Sequence, residues 1–143
     1  MPDEADAQAE RFETTPGTGS LYVVRDAADR DWASLGMSSK QYEIPVDVMI
    51  NGRNRGEIHA GTYLLFYLPP GQYNLASVSV QNVHSITIEV EDGGLHFAEV
   101  ELQGRVRGSD AQVNATVGQI DVDRGRRLVI EGQRVASRSG GER

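Results

Sequence analysis

The residues able to do chemistry are few and scattered. His59, His84 and His96 are the only imidazoles, and none stands at a metal-ligand spacing from another. His84 and His96 fall on two consecutive expected strands joined by Asp92-Gly93-Gly94, which reads as a hairpin turn. A two-histidine site completed by a carboxylate is one reading of them, and a pair of ordinary half-buried imidazoles is the other. A Ser–His–Asp assembly needs an activated hydroxyl, and no Gly-x-Ser-x-Gly elbow is present. Glu89, Glu91, Glu99 and Glu101 alternate with apolar residues, so they read as the solvated face of a hairpin rather than as paired catalytic acids. No glycine-rich phosphate loop opens a helix. The chain has no cysteine, which removes disulfides, thiolate metal sites and a cysteine nucleophile. No catalytic residue, metal or cofactor is expected.

The better candidates are for binding. Asp26 to Glu43 is the longest stretch without apolar periodicity, and it holds the single tryptophan, Trp32, with Met37 and Tyr42. Loops beyond about 12 to 15 residues are uncommon unless they have a function. Trp32 and Tyr42 are suited to stack on a glycan or a small ligand. The alternative is that Trp32 folds back and plugs one end of the domain. Arg105, Arg107, Arg124, Arg126, Arg127, Arg134 and Arg138 crowd the C-terminal third. They read as a docking stripe for an anionic partner or, more simply, as charge that guards strand edges. Asn114-Ala115-Thr116 fits the glycosylation triplet, which means nothing outside a secretory context.

The elements that would position these residues are strands. Thr62 to Leu68 is apolar or aromatic on both alternating faces, so both faces must be covered and the strand must be central. Pro69-Pro70-Gly71 ends it. Leu21 to Val24 is an earlier strand, and Arg25 reads as its solvated end, with Asp26 or Asp47 as possible partners. Ile44 to Ile50 alternates cleanly. Asn51-Gly52 then supplies a tight hairpin turn into Arg53–Ile58, where Gly56 marks a bulge. Gln72 to Val80 switches its apolar face near Ala76, which predicts a bulge or a crossing between sheets. Val83 to Glu91 places Ile86, Ile88 and Val90 inward, and Leu95 to Leu102 places Ala98, Val100 and Leu102 inward. Gly104 to Ala111 reads as turn-rich, Val113 to Val117 and Ile120 to Val122 as weak strands, and Arg124 to Arg127 as a turn before the apolar run Leu128-Val129-Ile130.

The predicted fold is an all-β, antiparallel β-sandwich of about seven to nine strands with disordered termini. Its parts are an acidic, flexible leader or tether over residues 1–19, the sandwich over 20–135, and a disordered tail over 136–143. At 143 residues the chain is long enough for one domain with a real core. The formal charge of −7 argues against a nucleic-acid surface. No apolar run approaches the roughly 18 to 20 residues of a spanning helix. The acidic start Met1-Pro2-Asp3-Glu4 has no signal-peptide character, so the chain is read as cytoplasmic if complete, or as lacking a removed leader.

A set of motifs in order points to a family. Glu4-Ala5-Asp6-Ala7 precedes Phe12, Pro16 and Gly17. Then come Leu21-Tyr22-Val23-Val24-Arg25, Val46-Asp47-Val48, Asn51-Gly52, Gly56-Glu57-Ile58, Gly61-Thr62-Tyr63 and Leu68-Pro69-Pro70-Gly71. Over roughly residues 4 to 130 this resembles a family of small bacterial envelope lipoproteins known only as a domain of unknown function. The resemblance implies a non-enzymatic, periplasm-facing β-sandwich with a structural or protein-interaction role, its partner an envelope protein or cell-wall component. It implies a membrane link only through a lipid-bearing cysteine, which this chain does not contain. Gly93-Gly94-Leu95-His96-Phe97 departs from the family pattern. The family brings no catalytic residues. The alternatives are a small-ligand or glycan-binding module using residues 26–43, and a hydrolase of unrecognised type.

Overall fold

The computed structural model describes residues 12, 14, 16–26, 46–79, 82–107 and 110–134. Among them run strands β1 (Gly19–Val24), β2 (Val46–Ile50), β3 (Arg53–Ile58), β4 (Thr62–Leu68), β5 (Gly71–Val78), β6 (Val83–Val90), β7 (Leu95–Arg107) and β8 (Asp110–Ile120). A helix α1 (Val122–Glu131) and a two-residue strand β9 (Gln133–Arg134) follow. One sheet has the order β8-β7-β1-β4-β9 and the other β3-β2-β5-β6. This is an all-β sandwich. Most neighbours are antiparallel, but β1 runs parallel to β7 and β4 parallel to β9.

β1 and β4 lie side by side in the middle of the larger sheet, paired from Gly19↔Leu68 to Val24↔Tyr63. Both are apolar on both faces because both faces are covered. Leu21, Val23, Leu64, Phe66 and Leu68 point between the sheets, where they meet Val46, Val48, Ile50, Leu75, Ile88 and Val90. Tyr22, Val24, Tyr63 and Leu65 point the other way and meet Phe97, Leu128 and Val129. The second face is therefore buried by a helix, and the molecule has three layers. The cover on both faces expected for Thr62–Leu68 is borne out, but within its sheet only the two-residue β9 lies beyond it.

The helix is the main departure from the sequence reading, which took Arg124–Arg127 as a turn and Leu128–Ile130 as an apolar run among strands. Asp121 caps the helix: its carboxylate accepts the backbone N–H of Arg124 at 2.8 Å. Gly125, Leu128 and Val129 share one helical face and are buried. Burying Leu128 and Val129 contributes about 1.5–3 kcal/mol each. Gly125 allows the close approach. A Cβ there would sit 2.2 Å from Cγ of Phe97, so no larger residue fits without movement. The β-branched Val129-Ile130 and the glycine imitate a strand in sequence, and the burial available over Tyr22 and Phe97 overrides that preference. Val122 begins the helix, so Ile120–Val122 is not a strand of its own.

Other expectations resolve in the same way. The Asn51-Gly52 hairpin forms, with φ of 52° and 81°, as positive-φ turns require. The register shifts opposite Gly56, which is the expected bulge. No bulge interrupts β5, however, which pairs with β6 in one register from Gly71↔Val90 to Val78↔Val83. Ser77 is fully buried and keeps the alternation that Tyr73 and Leu75 begin. A small hydroxyl occupies an inward position where an apolar residue was looked for. The turn-rich reading of 104–111 gives way to a long hairpin, with β7 reaching Arg107 and β8 starting at Asp110. Asp92-Gly93-Gly94 does not close a hairpin. It carries the chain from one sheet to the other, since β6 pairs with β5 while β7 pairs with β1 and β8. That arch also holds the start of β1: Gly93 N–H donates to Thr18 C=O at 2.8 Å and Ser20 N–H to Gly94 C=O at 2.9 Å.

Candidate functional site

Of the sequence-derived binding candidates, Trp32, Met37 and Tyr42 lie outside the described residues, as does the 26–43 loop apart from Asp26. The histidines are placed, and they are far apart in role. His84 Nδ1 accepts the backbone N–H of Val117 at 3.1 Å. His96 is buried in the arch, its Nε2 accepting the backbone N–H of Glu91 at 3.0 Å. His59 Nε2 lies 3.7 Å from a Glu57 carboxylate oxygen, both exposed. Because β6 and β7 belong to different sheets, the hairpin that would have joined His84 and His96 does not exist. Among the described residues no group of three His, Asp or Glu side chains could hold a metal ion.

The charged residues behave differently from their sequence reading. Glu99 is not on a solvated face; it is 6% exposed, on the helix side of β7. Arg124 holds it with two hydrogen bonds of 2.8 Å, and Asp26 approaches Arg124 at 3.5 Å. The hydrogen bond to Glu99 pushes the Arg124 guanidinium still further toward its charged form, against the opposing effect of burial. Arg25 is not a solvated strand end either. Its side chain is buried, with Nη1 donating to Ile58 C=O at 3.4 Å. Arg126 lies over the Phe12 ring at 5.0 Å. Phe12, at 5.4 Å from the Tyr22 ring, extends the outer apolar cluster. Two arginines of the expected basic stripe thus have structural partners.

The two lateral sides of the sandwich differ. On one side the edge strands β6 and β8 face each other, and side chains seal the gap. Asn82 Nδ2 donates to Ala115 C=O at 2.9 Å and its Oδ1 accepts Ala115 N–H at 2.8 Å. His84 takes the next outward amide, that of Val117. An amide side chain and an imidazole do the work of a strand, and the edge of β8 is satisfied there.

The opposite side carries the edges of β3 and β4. Arg25 N–H donates to Thr62 C=O. Alternation therefore turns the Thr62 C=O and the backbone groups of Leu64 and Phe66 toward β1, and those of Leu65 and Tyr67 outward. β9 covers only Thr62 and Tyr63. Among the described residues no strand pairs with the outer edge of β4 from Leu64 to Leu68. Arg55 of β3 lies over the Phe66 ring at 5.1 Å and packs the gap between the sheets below that edge. Tyr67 is 47% exposed. Among the described residues, therefore, the outward backbone groups of Leu65 and Tyr67 have no strand beside them, although Leu65 itself is buried and only Tyr67 reaches solvent. Composition gave no hint of this, because an edge is a property of strand order.

No protein-family model matches the chain, no curated protein does, and no solved structure does.

Proposed function

We propose that this chain is a non-enzymatic binding module that takes up an extended segment of a partner protein along the outer edge of β4. The asymmetry of the two lateral sides supports this reading. One side spends Asn82 and His84 on closing its edge, while the other leaves Leu65 and Tyr67 facing outward with no strand beside them among the described residues. Main-chain bonding to such an edge gives affinity, and the alternating side chains give selectivity. The partner would be an envelope protein and the compartment the periplasm. That part of the proposal rests on the order of the motifs between residues 4 and 130 alone.

Tyr67→Pro tests the site. It removes one outward N–H at an edge position, where proline is tolerated, and leaves the core untouched. Wild-type protein cross-linked in an extract of its native host should yield a defined protein adduct, and Y67P should lose that adduct at an unchanged melting midpoint. An adduct formed equally by both would rule out the β4 edge.

A further inference from the structure

Two of the three histidines join one sheet to the other, and each does so by accepting a backbone amide. His84 stands on β6, in the four-stranded sheet, and its Nδ1 accepts Val117 N–H of β8, in the larger sheet, at 3.1 Å. His96 stands on β7, in the larger sheet, and its Nε2 accepts Glu91 N–H, just past the end of β6, at 3.0 Å. One joint therefore lies at each end of β6. A ring nitrogen accepts only when it carries no proton, so His84 is neutral with its proton on Nε2, and His96 is neutral with its proton on Nδ1. Asn82 makes the same kind of joint to Ala115, through an oxygen that does not titrate.

The charged groups beside the two rings are few. β5 lies next to His84 through Ser77 and has no charged side chain, and neither has β8 from Asn114 to Ile120. The one carboxylate of β6, Glu89, is exposed on the opposite face of the strand from His84. Beside His96, β1 brings Leu21 and carries no charge. The arch holds Glu91 and Asp92, and Asp121 follows β8. Asp92 already accepts Gly17 N–H, and Asp121 accepts Arg124 N–H. The His96 ring is also hemmed in: a Cβ on Gly94 would sit 2.6 Å from its Nε2.

We propose that His84 and His96 make the join between the two sheets along β6 sensitive to acid. Between about pH 5 and 8 imidazoles are the side chains that ordinarily change charge. Once protonated, Nδ1 of His84 and Nε2 of His96 are donors, each facing an N–H that also donates, and neither contact survives as a hydrogen bond. The joined state thus binds fewer protons than the parted one, so both joints hold at neutral pH and weaken as the pH falls. Asn82 keeps its bonds throughout. Acid loosens the β6 side of the sandwich at two points while the ladders within each sheet stay paired. This device is independent of any partner on β4.

The test is residue-resolved amide hydrogen exchange on the full chain from about pH 7.5 to about pH 5, each rate divided by the intrinsic rate at that pH. In the wild type the protection of the Val117 and Glu91 amides should fall about tenfold on acidification, and that of Ala115 should hold. His84→Asn sets an oxygen where Nδ1 stands, and His96→Gln sets one where Nε2 stands. H84N should abolish the pH dependence at Val117 alone, and H96Q at Glu91 alone. Protection at Val117 and Glu91 that stays level with pH would overturn the proposal. So would a fall shared by Ala115, or one that persists at both amides in these variants, either of which would assign the loosening to the carboxylates of the chain.

Discussion

Glu99 and Arg124 meet through two parallel hydrogen bonds, Nε to Oε1 and Nη2 to Oε2, each 2.8 Å long. One residue sits on β7 and the other in the first turn of α1, so the pair ties the helix to the sheet it covers. The carboxylate is almost wholly buried, whereas the arginine side chain is 35% exposed. Solvent therefore screens one half of the pair, and its worth is below that of a fully buried pair. Arg124→Met leaves the Glu99 charge buried without its partner and should cost about 1–3 kcal/mol. The double variant E99M/R124M removes both charges and should recover part of that loss. Denaturant melts of the two singles and the double measure it; a double no more stable than R124M would mean that the charge left behind is not the cause.

Gly125→Ala should destabilise the protein even though alanine favours a helix by about 1 kcal/mol over glycine. The new methyl would fall within 2.6 Å of three Phe97 atoms. Overpacking of that kind costs about 1–3 kcal/mol and wins. Phe97→Leu in the same chain should relieve the clash. A G125A variant that melts higher than the wild type would show that the helix stands off the sheet.

Leu64→Ala and Phe66→Ala should each cost about 2–5 kcal/mol, since both side chains are buried between the sheets. Urea midpoints equal to that of the wild type would contradict the burial of these two side chains between the sheets.

Asn82→Ala should act locally. It removes both bonds to the Ala115 backbone and opens the sealed side of the sandwich. Exchange of the Ala115 amide should quicken about tenfold, which corresponds to about 1.4 kcal/mol, while the Leu65 amide is unaffected. Unchanged exchange at Ala115 would mean that the side chain is not what holds the β8 edge.

Gly71 has a φ of 154° and open space around the site of a Cβ, so Gly71→Val would cost conformational strain and no clash. About 1–3 kcal/mol is expected in a thermal or denaturant melt. An unshifted midpoint would mean that the turn after Pro69-Pro70 adapts.

Much of the architecture was legible in the amino-acid order because it depends on local pattern. The double-faced apolarity of Thr62–Leu68 demanded cover on both sides. Asn51-Gly52 demanded a positive-φ turn. The alternation in Val83–Val90 chose which side chains go in. Each of these follows from strand period and backbone sterics, which act within a few residues. Tertiary structure decided what depends on neighbours distant in sequence. A helix rather than a strand covers Tyr22 and Phe97, because burying Leu128 and Val129 there outweighs the intrinsic preference of β-branched residues. The capping Asp121 and the 125, 128, 129 spacing were the sequence signals for it. Glu99, alternating like its solvated neighbours, is buried because Arg124 is brought to it from 25 residues away. The expected His84–His96 hairpin vanished because an arch and a hairpin share the same glycine turn chemistry, and only sheet pairing tells them apart. That no described strand pairs with the outer side of β4 beyond Tyr63 belongs to the same class. Whether a strand is central or marginal depends on how many strands pair beside it, and no residue of Thr62–Leu68 encodes that by itself.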